Sequence, residues 1–166
     1  MTAISTVILS GNPRAGSRTL AFAASLAAHL GAESPRVIEL ADAAAVTFDP
    51  TPVAPRDPQP DALDAVSGAD LLIVATPSYK GTYTGLLKLF LDRFAAGALA
   101  GVRAVPVAVA GSPAHAEATA DDLLRLLREL GATVPSAVAV LESQLEQAET
   151  IAARHAARLT GIPADA

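Results

Sequence analysis

Short apolar runs with little polar alternation recur along the chain, and most precede a stretch whose apolar residues return every three or four positions. Residues 6–10, TVILS, predict a buried strand, and residues 18–30 a helix with Leu20, Ala23, Ala24, Ala27 and Leu30 on one face. Residues 36–40 predict a second, weaker strand. The prolines of 46–60, VTFDPTPVAPRDPQP, exclude both helix and central strand and predict a long extended surface loop. Asp61 is placed to cap a short helix running to about residue 67. Residues 70–77, DLLIVATP, form the clearest buried strand, apolar without alternation as expected when both faces are covered. Residues 85–94 are amphipathic, with Leu86, Leu87, Phe90, Leu91 and Phe94 pointing broadly one way. Residues 103–111 make another buried run, in which Pro106 forgoes one ladder hydrogen bond. A helix over 114–130, a fifth strand over 133–141 and a closing helix over 145–159 complete the pattern.

Strands alternating with helices in this way imply an α/β protein with a parallel sheet and right-handed crossovers. There is no internal repeat and no linker that would separate two cores, so residues 1–166 are expected to form one domain, with about 161–166 a frayed tail. Composition adds exclusions. Hydrophobic residues make up 51% of the chain and aromatic ones only 4%, so alanine, leucine and valine must fill the core. A net charge of −5 without a basic run argues against nucleic acid and anionic membrane surfaces. No apolar stretch approaches the ~18 residues of a membrane span, and no leader pattern is present, so a cytoplasmic protein is expected. The absence of cysteine excludes disulfides, thiolate nucleophiles and cysteine metal sites. No histidine–carboxylate spacing suits a metal, and G-x-S-x-G is absent.

Parallel sheets bind ligands beyond the carboxyl ends of their strands, which directs attention to the loops after strands one, three and four. The first is SGNPRAGSRT, residues 10–19. Gly16 permits a tight turn, Ser17 can cap the next helix, and the backbone N–H groups there favour an anion. Arg14 and Arg18 add charge, while Ser10, Ser17 and Thr19 add hydroxyls, a set suited to a monophosphate. Neither G-x-x-x-x-G-K-[ST] nor G-x-G-x-x-G fits, and a simple polar connection with a serine cap would use several of the same residues. The second loop, TPSYKGTYTG at 76–85, holds both tyrosines of the chain and can bracket a planar heterocycle or pack on a partner subunit. The third, AGSPAHAEA at 110–118, offers Gly111 and Ser112 for close backbone approach. His115 lies at the next helix start and reads as a surface residue rather than a general acid. His29, His155 and the acidic cluster Glu142, Glu146 and Glu149 read as solvated.

Three stretches, SGNPRAGSRT, ATPSYKGTYTGLLKLFLDRF and AGSPAHA, give the chain a resemblance over roughly residues 4–130 to the NAD(P)H-dependent FMN reductase family. It is most similar to the small reductases that serve two-component flavin monooxygenases. The resemblance implies a flavodoxin-like three-layer sandwich, a five-stranded parallel sheet in the order 2-1-3-4-5 with helices on both faces. It implies FMN as cofactor, NADPH or NADH as hydride donor, and reduced flavin passed to a partner monooxygenase. Ser10, Arg14, Ser17, Arg18 and Thr19 would surround the FMN phosphate. Pro77, Ser78, Tyr79, Lys80 and Gly81 would line the isoalloxazine edge, with Gly111, Ser112 and His115 closing the far side. No side chain need act as acid, base or nucleophile, Lys80 and His115 being at most assistants. A homodimer or homotetramer is implied, with helix 85–94 and its Phe90 and Phe94 at the interface. The chain departs from the family at Asn12, where serine is usual, and at Ala120, Asp121 and Asp122, where many two-component reductases carry an aromatic residue. Two relatives of this function stay open: an FMN-retaining reductase of quinones, azo dyes or metal oxyanions, and a flavodoxin-like electron carrier without nicotinamide activity.

Overall fold

A computed structural model of the chain describes residues 4–42 and 61–161. The proline-rich loop expected over 46–60 and residues 162–166 of the expected tail lie outside the described residues. Strands β1 (Thr6–Ser10), β2 (Arg36–Glu39), β3 (Leu71–Pro77), β4 (Arg103–Ala110) and β5 (Val138–Leu141) form one parallel sheet in the order β2-β1-β3-β4-β5. This is the order that the resemblance implied. Helices α1 (Arg18–His29), α2 (Ala62–Ser67), α3 (Gly85–Leu91), α4 (Pro113–Glu129) and α5 (Ala148–Thr160) cover its two faces.

Strand alternation divides the core. Ile8, Ile73, Val105 and Val107 point to α1 and α5 and meet Phe22, Leu26, Ile151 and Ala152. Val7, Leu9, Leu72 and Val74 point the other way, to Val66, Leu87, Phe90, Leu123 and Leu127 of α2, α3 and α4. Both faces being covered, the central strands have no polar side to show, hence their continuous apolar runs.

Pro106 is tolerated for a local reason. Arg103 donates its N–H to Asp70 O and Ala104 to Thr133 O, so alternate residues of β4 aim their donors at β5. The donor that Pro106 lacks would face the interval between the isolated Arg103–Thr133 bridge and Val138, where no ladder exists. The same interval contains Pro135, which delays β5 to Val138 rather than the expected residue 133.

Several side chains sit differently from the pattern's expectation. The buried stripe of α1 is Phe22, Ala23, Leu26 and Ala27, and Ala24 is exposed, because the two large side chains set which face turns inward. Asp61 precedes α2 but makes no side-chain cap; its carboxylate instead accepts from Nη1 and Nη2 of Arg36, at 2.9 and 2.8 Å. Glu149 is not merely solvated: it accepts from Ser25 Oγ at 2.5 Å and meets His29 Nε2 at 2.7 Å, clasping α5 to α1. These hydrogen bonds hold the Glu149 carboxyl below the usual carboxylate range, Ser25 contributing most. His155 is half-buried and stands edge-on to Phe22, with ring centroids 6.5 Å apart.

Helix α3 ends at Leu91, short of the expected residue 94. Leu87, Phe90 and Leu91 are buried, and Phe94 packs edge-to-face on Phe90 at 5.7 Å. The stripe assigned by resemblance to a subunit interface therefore lies in the chain's own core. Leu89, 56% exposed, is the large apolar residue that α3 leaves outside. Among the described residues, no helix is long and apolar enough to cross a membrane.

Candidate functional site

The sheet brings the three singled-out loops to one edge, the carboxyl ends of β1, β3 and β4. The first loop is folded mainly by its own polar groups. Asn12 Oδ1 accepts the Arg14 N–H at 2.9 Å, and its Nδ2 donates to Thr19 Oγ1 at 3.3 Å. An asparagine here thus does local work that turns the chain into α1. Gly11 donates to Ala75 O at 2.8 Å, and a Cβ at Gly11 would lie 2.8 Å from Leu87 Cβ. Only glycine lets α3 approach the loop so closely. Gly16 adopts φ +62°, and its N–H donates to Glu39 Oε2 at 2.8 Å. Ser17 caps α1 by accepting the Leu20 N–H at 3.2 Å.

Of the five residues expected around a phosphate, Arg14, Ser17 and Arg18 stand at the surface of this turn. Neither arginine side chain makes an ion pair among the described residues. Thr19 and Ser10 are buried beneath, and Thr19 is bonded to Asn12. The Ser10 hydroxyl is fully buried with no hydrogen-bond partner among the described residues. Ser10 leaves β1 on the same side as Ile8, the face covered by α1. A buried polar atom without a partner, two unpaired guanidinium groups and a helix start together fit a phosphate.

The second loop is a tight reversal. Tyr79 and Thr82 exchange backbone hydrogen bonds of 2.8 and 3.4 Å, and both intervening residues have positive φ, Lys80 at 56° and Gly81 at 85°. These are the requirements of a type I′ turn, and a lysine pays no steric compliment to its position: left-handed backbone costs a non-glycine residue about 1 kcal/mol. Two hydroxyls anchor the reversal to α4: Thr119 donates to Ser78 Oγ, and Thr82 donates to Asp122 Oδ2, each at 2.8 Å. The tyrosines separate. Tyr79 is 44% exposed at the turn, whereas Tyr83 is half-buried and packs against the core. In the third loop Ser112 caps α4 by accepting the His115 N–H at 3.4 Å, and Gly111 and His115 are exposed beside it.

Thr84 and Thr76 did not figure among the expected site residues. Thr84 is 2% exposed, donates Oγ1–H to Gly11 O at 2.7 Å and accepts the Leu87 N–H at 3.1 Å as the cap of α3. Its own N–H donates to Thr76 Oγ1 at 3.2 Å, and that hydroxyl donates to Pro77 O at 2.8 Å. The first loop is thereby fastened to the second. A threonine followed by glycine before a leucine-rich helix signals the cap; nothing local signals the partner in Gly11.

The arrangement can hold an anion and a flat group beside it, and among the described residues no cluster suits a metal ion. A cavity of about 520 Å³ near Ile4, Leu30, Asp70 and Arg103 lies at the opposite edge, where the strands begin, away from these donors. A parallel sheet in this order is the flavodoxin-like fold, in which ligands sit beyond the carboxyl ends of the strands, where these donors gather.

The chain belongs to the NADPH-dependent FMN reductase family, whose model matches residues 4–146. It is 40% identical over 116 residues to FMN reductase (NADPH) of Pseudomonas aeruginosa, a match covering 66% of this chain and 61% of that protein. With NADH-dependent FMN reductase SfnE of Pseudomonas putida it shares 35% identity over 160 residues, 89% of this chain and 81% of the relative. Among solved structures, the apo form of the NADH:FMN oxidoreductase EMOB superposes with a TM-score of 0.78 at 34% identity, over 95% of this chain and 87% of that one.

Proposed function

We propose that this protein is an NAD(P)H:FMN oxidoreductase, a single FMN-binding domain that moves a hydride from a reduced nicotinamide to FMN and supplies reduced flavin to a partner monooxygenase. The observation that carries this function is the β1–α1 turn: two arginines without an ion pair among the described residues and a helix start share it with a buried, unpartnered Ser10 hydroxyl, in a chain of the FMN reductase family. The phosphate of FMN is held by Arg14, Ser17 and Arg18, with Ser10 and Thr19 supporting from below. The isoalloxazine edge lies along Pro77, Ser78, Tyr79, Lys80 and Gly81, and Gly111, Ser112 and His115 close its far side.

FMN, when bound, supplies the ring that accepts the hydride. The chain's own residues bind, orient and exclude water. Thr84 sets the spacing between phosphate loop and tyrosine turn, and Thr119 and Asp122 hold that turn against α4. Positioning of this kind accounts for a site with binding groups and no acid–base pair. Assembly as a homodimer or homotetramer belongs to the same proposal, with Leu89 the apolar residue that α3 offers to a second copy.

The test is the oxidation of NADPH and of NADH by desalted protein against added FMN. A rate that rises from near zero and saturates with FMN is expected. No oxidation of either nucleotide would overturn the proposal, and a rate indifferent to added FMN would refute supply of free reduced flavin.

A further inference from the structure

We propose that the Glu39 carboxylate is an internal competitor for the flavin phosphate and keeps FMN exchangeable. This rests on the phosphate loop proposed above and extends it. Glu39 ends the edge strand β2 and is the register partner of Ser10, the residue that opens the loop. Its Oε2 accepts the Gly16 N–H at 2.8 Å, immediately before the Ser17 cap of the 12-residue helix α1. A negative group therefore already holds one of the donors at the place best suited to an anion.

The carboxylate is not neutralised by its surroundings. Glu39 forms no ion pair among the described residues, and the arginine of its own strand, Arg36, is committed to Asp61. A phosphate seated on the start of α1 must displace Glu39 from Gly16 or accept a like charge beside it. Arg14 and Arg18 supply the attraction that offsets this. When the flavin leaves, the carboxylate returns to the Gly16 N–H, so the left-handed turn keeps a partner in both states. The repulsion acts on the phosphate alone, so it lowers affinity for FMN without touching the ring or the ribityl chain.

Glu39→Gln isolates the charge, because the amide oxygen can still accept the Gly16 N–H. Wild type and variant, both desalted, are titrated with FMN and with riboflavin by quenching of flavin fluorescence, at low and high salt. The FMN Kd is expected to fall roughly 5- to 30-fold in the variant, as removal of a partly screened like charge predicts, and that gain should shrink as salt rises. The riboflavin Kd should stay within about twofold, since riboflavin carries no charge for Glu39 to repel. An unchanged FMN Kd, or an equal shift for both flavins, would overturn the competition while leaving a wild-type preference for FMN intact. Wild type that binds FMN no better than riboflavin would remove the phosphate loop itself, and this inference with it.

Discussion

Replacing Thr84 with valine should destabilise the fold far more than replacing it with serine. Valine nearly matches threonine in shape, so the change removes a hydroxyl rather than volume. That hydroxyl has two tasks in a position 2% exposed: it donates to Gly11 O at 2.7 Å and accepts the Leu87 N–H at 3.1 Å. Gly11 and Leu87 are both buried, so water cannot replace either bond. A buried group left unpaired costs about 1–3 kcal/mol, and a lost helix cap about 1, the second overlapping with the Leu87 donor. The expected loss for Thr84→Val is therefore about 2–4 kcal/mol. Thr84→Ser keeps both bonds and gives up one methyl, about 1 kcal/mol. Urea unfolding of both variants without flavin reads the difference in free energy at constant m. A domain of ordinary stability, about 5–15 kcal/mol, stays folded through either change. Values for valine and serine within about 0.5 kcal/mol of each other would refute the claim that this hydroxyl fastens the two loops.

Three further outcomes can be checked. Arg14→Ala should weaken FMN by about 1.5–3 kcal/mol and riboflavin hardly at all, as for loss of a charge-assisted hydrogen bond to phosphate; equal weakening would place the phosphate elsewhere. Lys80→Asn should preserve stability or raise it by up to about 1 kcal/mol, since asparagine tolerates the left-handed backbone at φ 56°, while slowing NADPH oxidation or raising KM; unchanged kinetics would take Lys80 out of the site. Burial, with Arg158 and Arg154 nearby, holds His155 below its ordinary value of 6.5, so the unfolded chain takes up this proton first as pH falls. Its contribution is fully present above pH 6.5 and is lost as pH falls toward the lowered value, so the urea midpoint of wild type should decline over that window and that of His155→Leu should decline less. Parallel declines in the two proteins would rule the histidine out.

Much of the architecture was legible in the hydrophobic pattern. A strand covered on both faces must be apolar throughout, so β1, β3 and most of β4 announce themselves, and helices between them force a parallel sheet. Topology then places the loops after β1, β3 and β4 on one edge without any knowledge of side-chain contacts. Local chemistry also carried the cap at Ser17, because a cap and the N–H it accepts lie within one turn of each other, whereas the cap at Ser112 went unread.

Element ends and helix faces were less legible. Both large apolar residues and alanine satisfy a helical period, so the pattern allowed Ala24 a buried place that Phe22 and Leu26 took for their own face. The stripe of α3 was given to a partner by resemblance, and the fold packs Leu87, Phe90 and Leu91 into the core instead. Least legible were the polar groups, because a serine, threonine or glutamate reads as solvated until the fold supplies a partner. Thr84 and Gly11 are 73 residues apart, and Ser25 and Glu149 are 124 apart. What residue order alone determined was the alternation of strands and helices, the edge where the loops gather, and the kinds of donors on them. Only the tertiary structure decided which of those donors are committed and which are free. The reason is that hydrophobic burial depends on period and area, which are local properties, whereas a hydrogen bond depends on one atom meeting another across the folded chain.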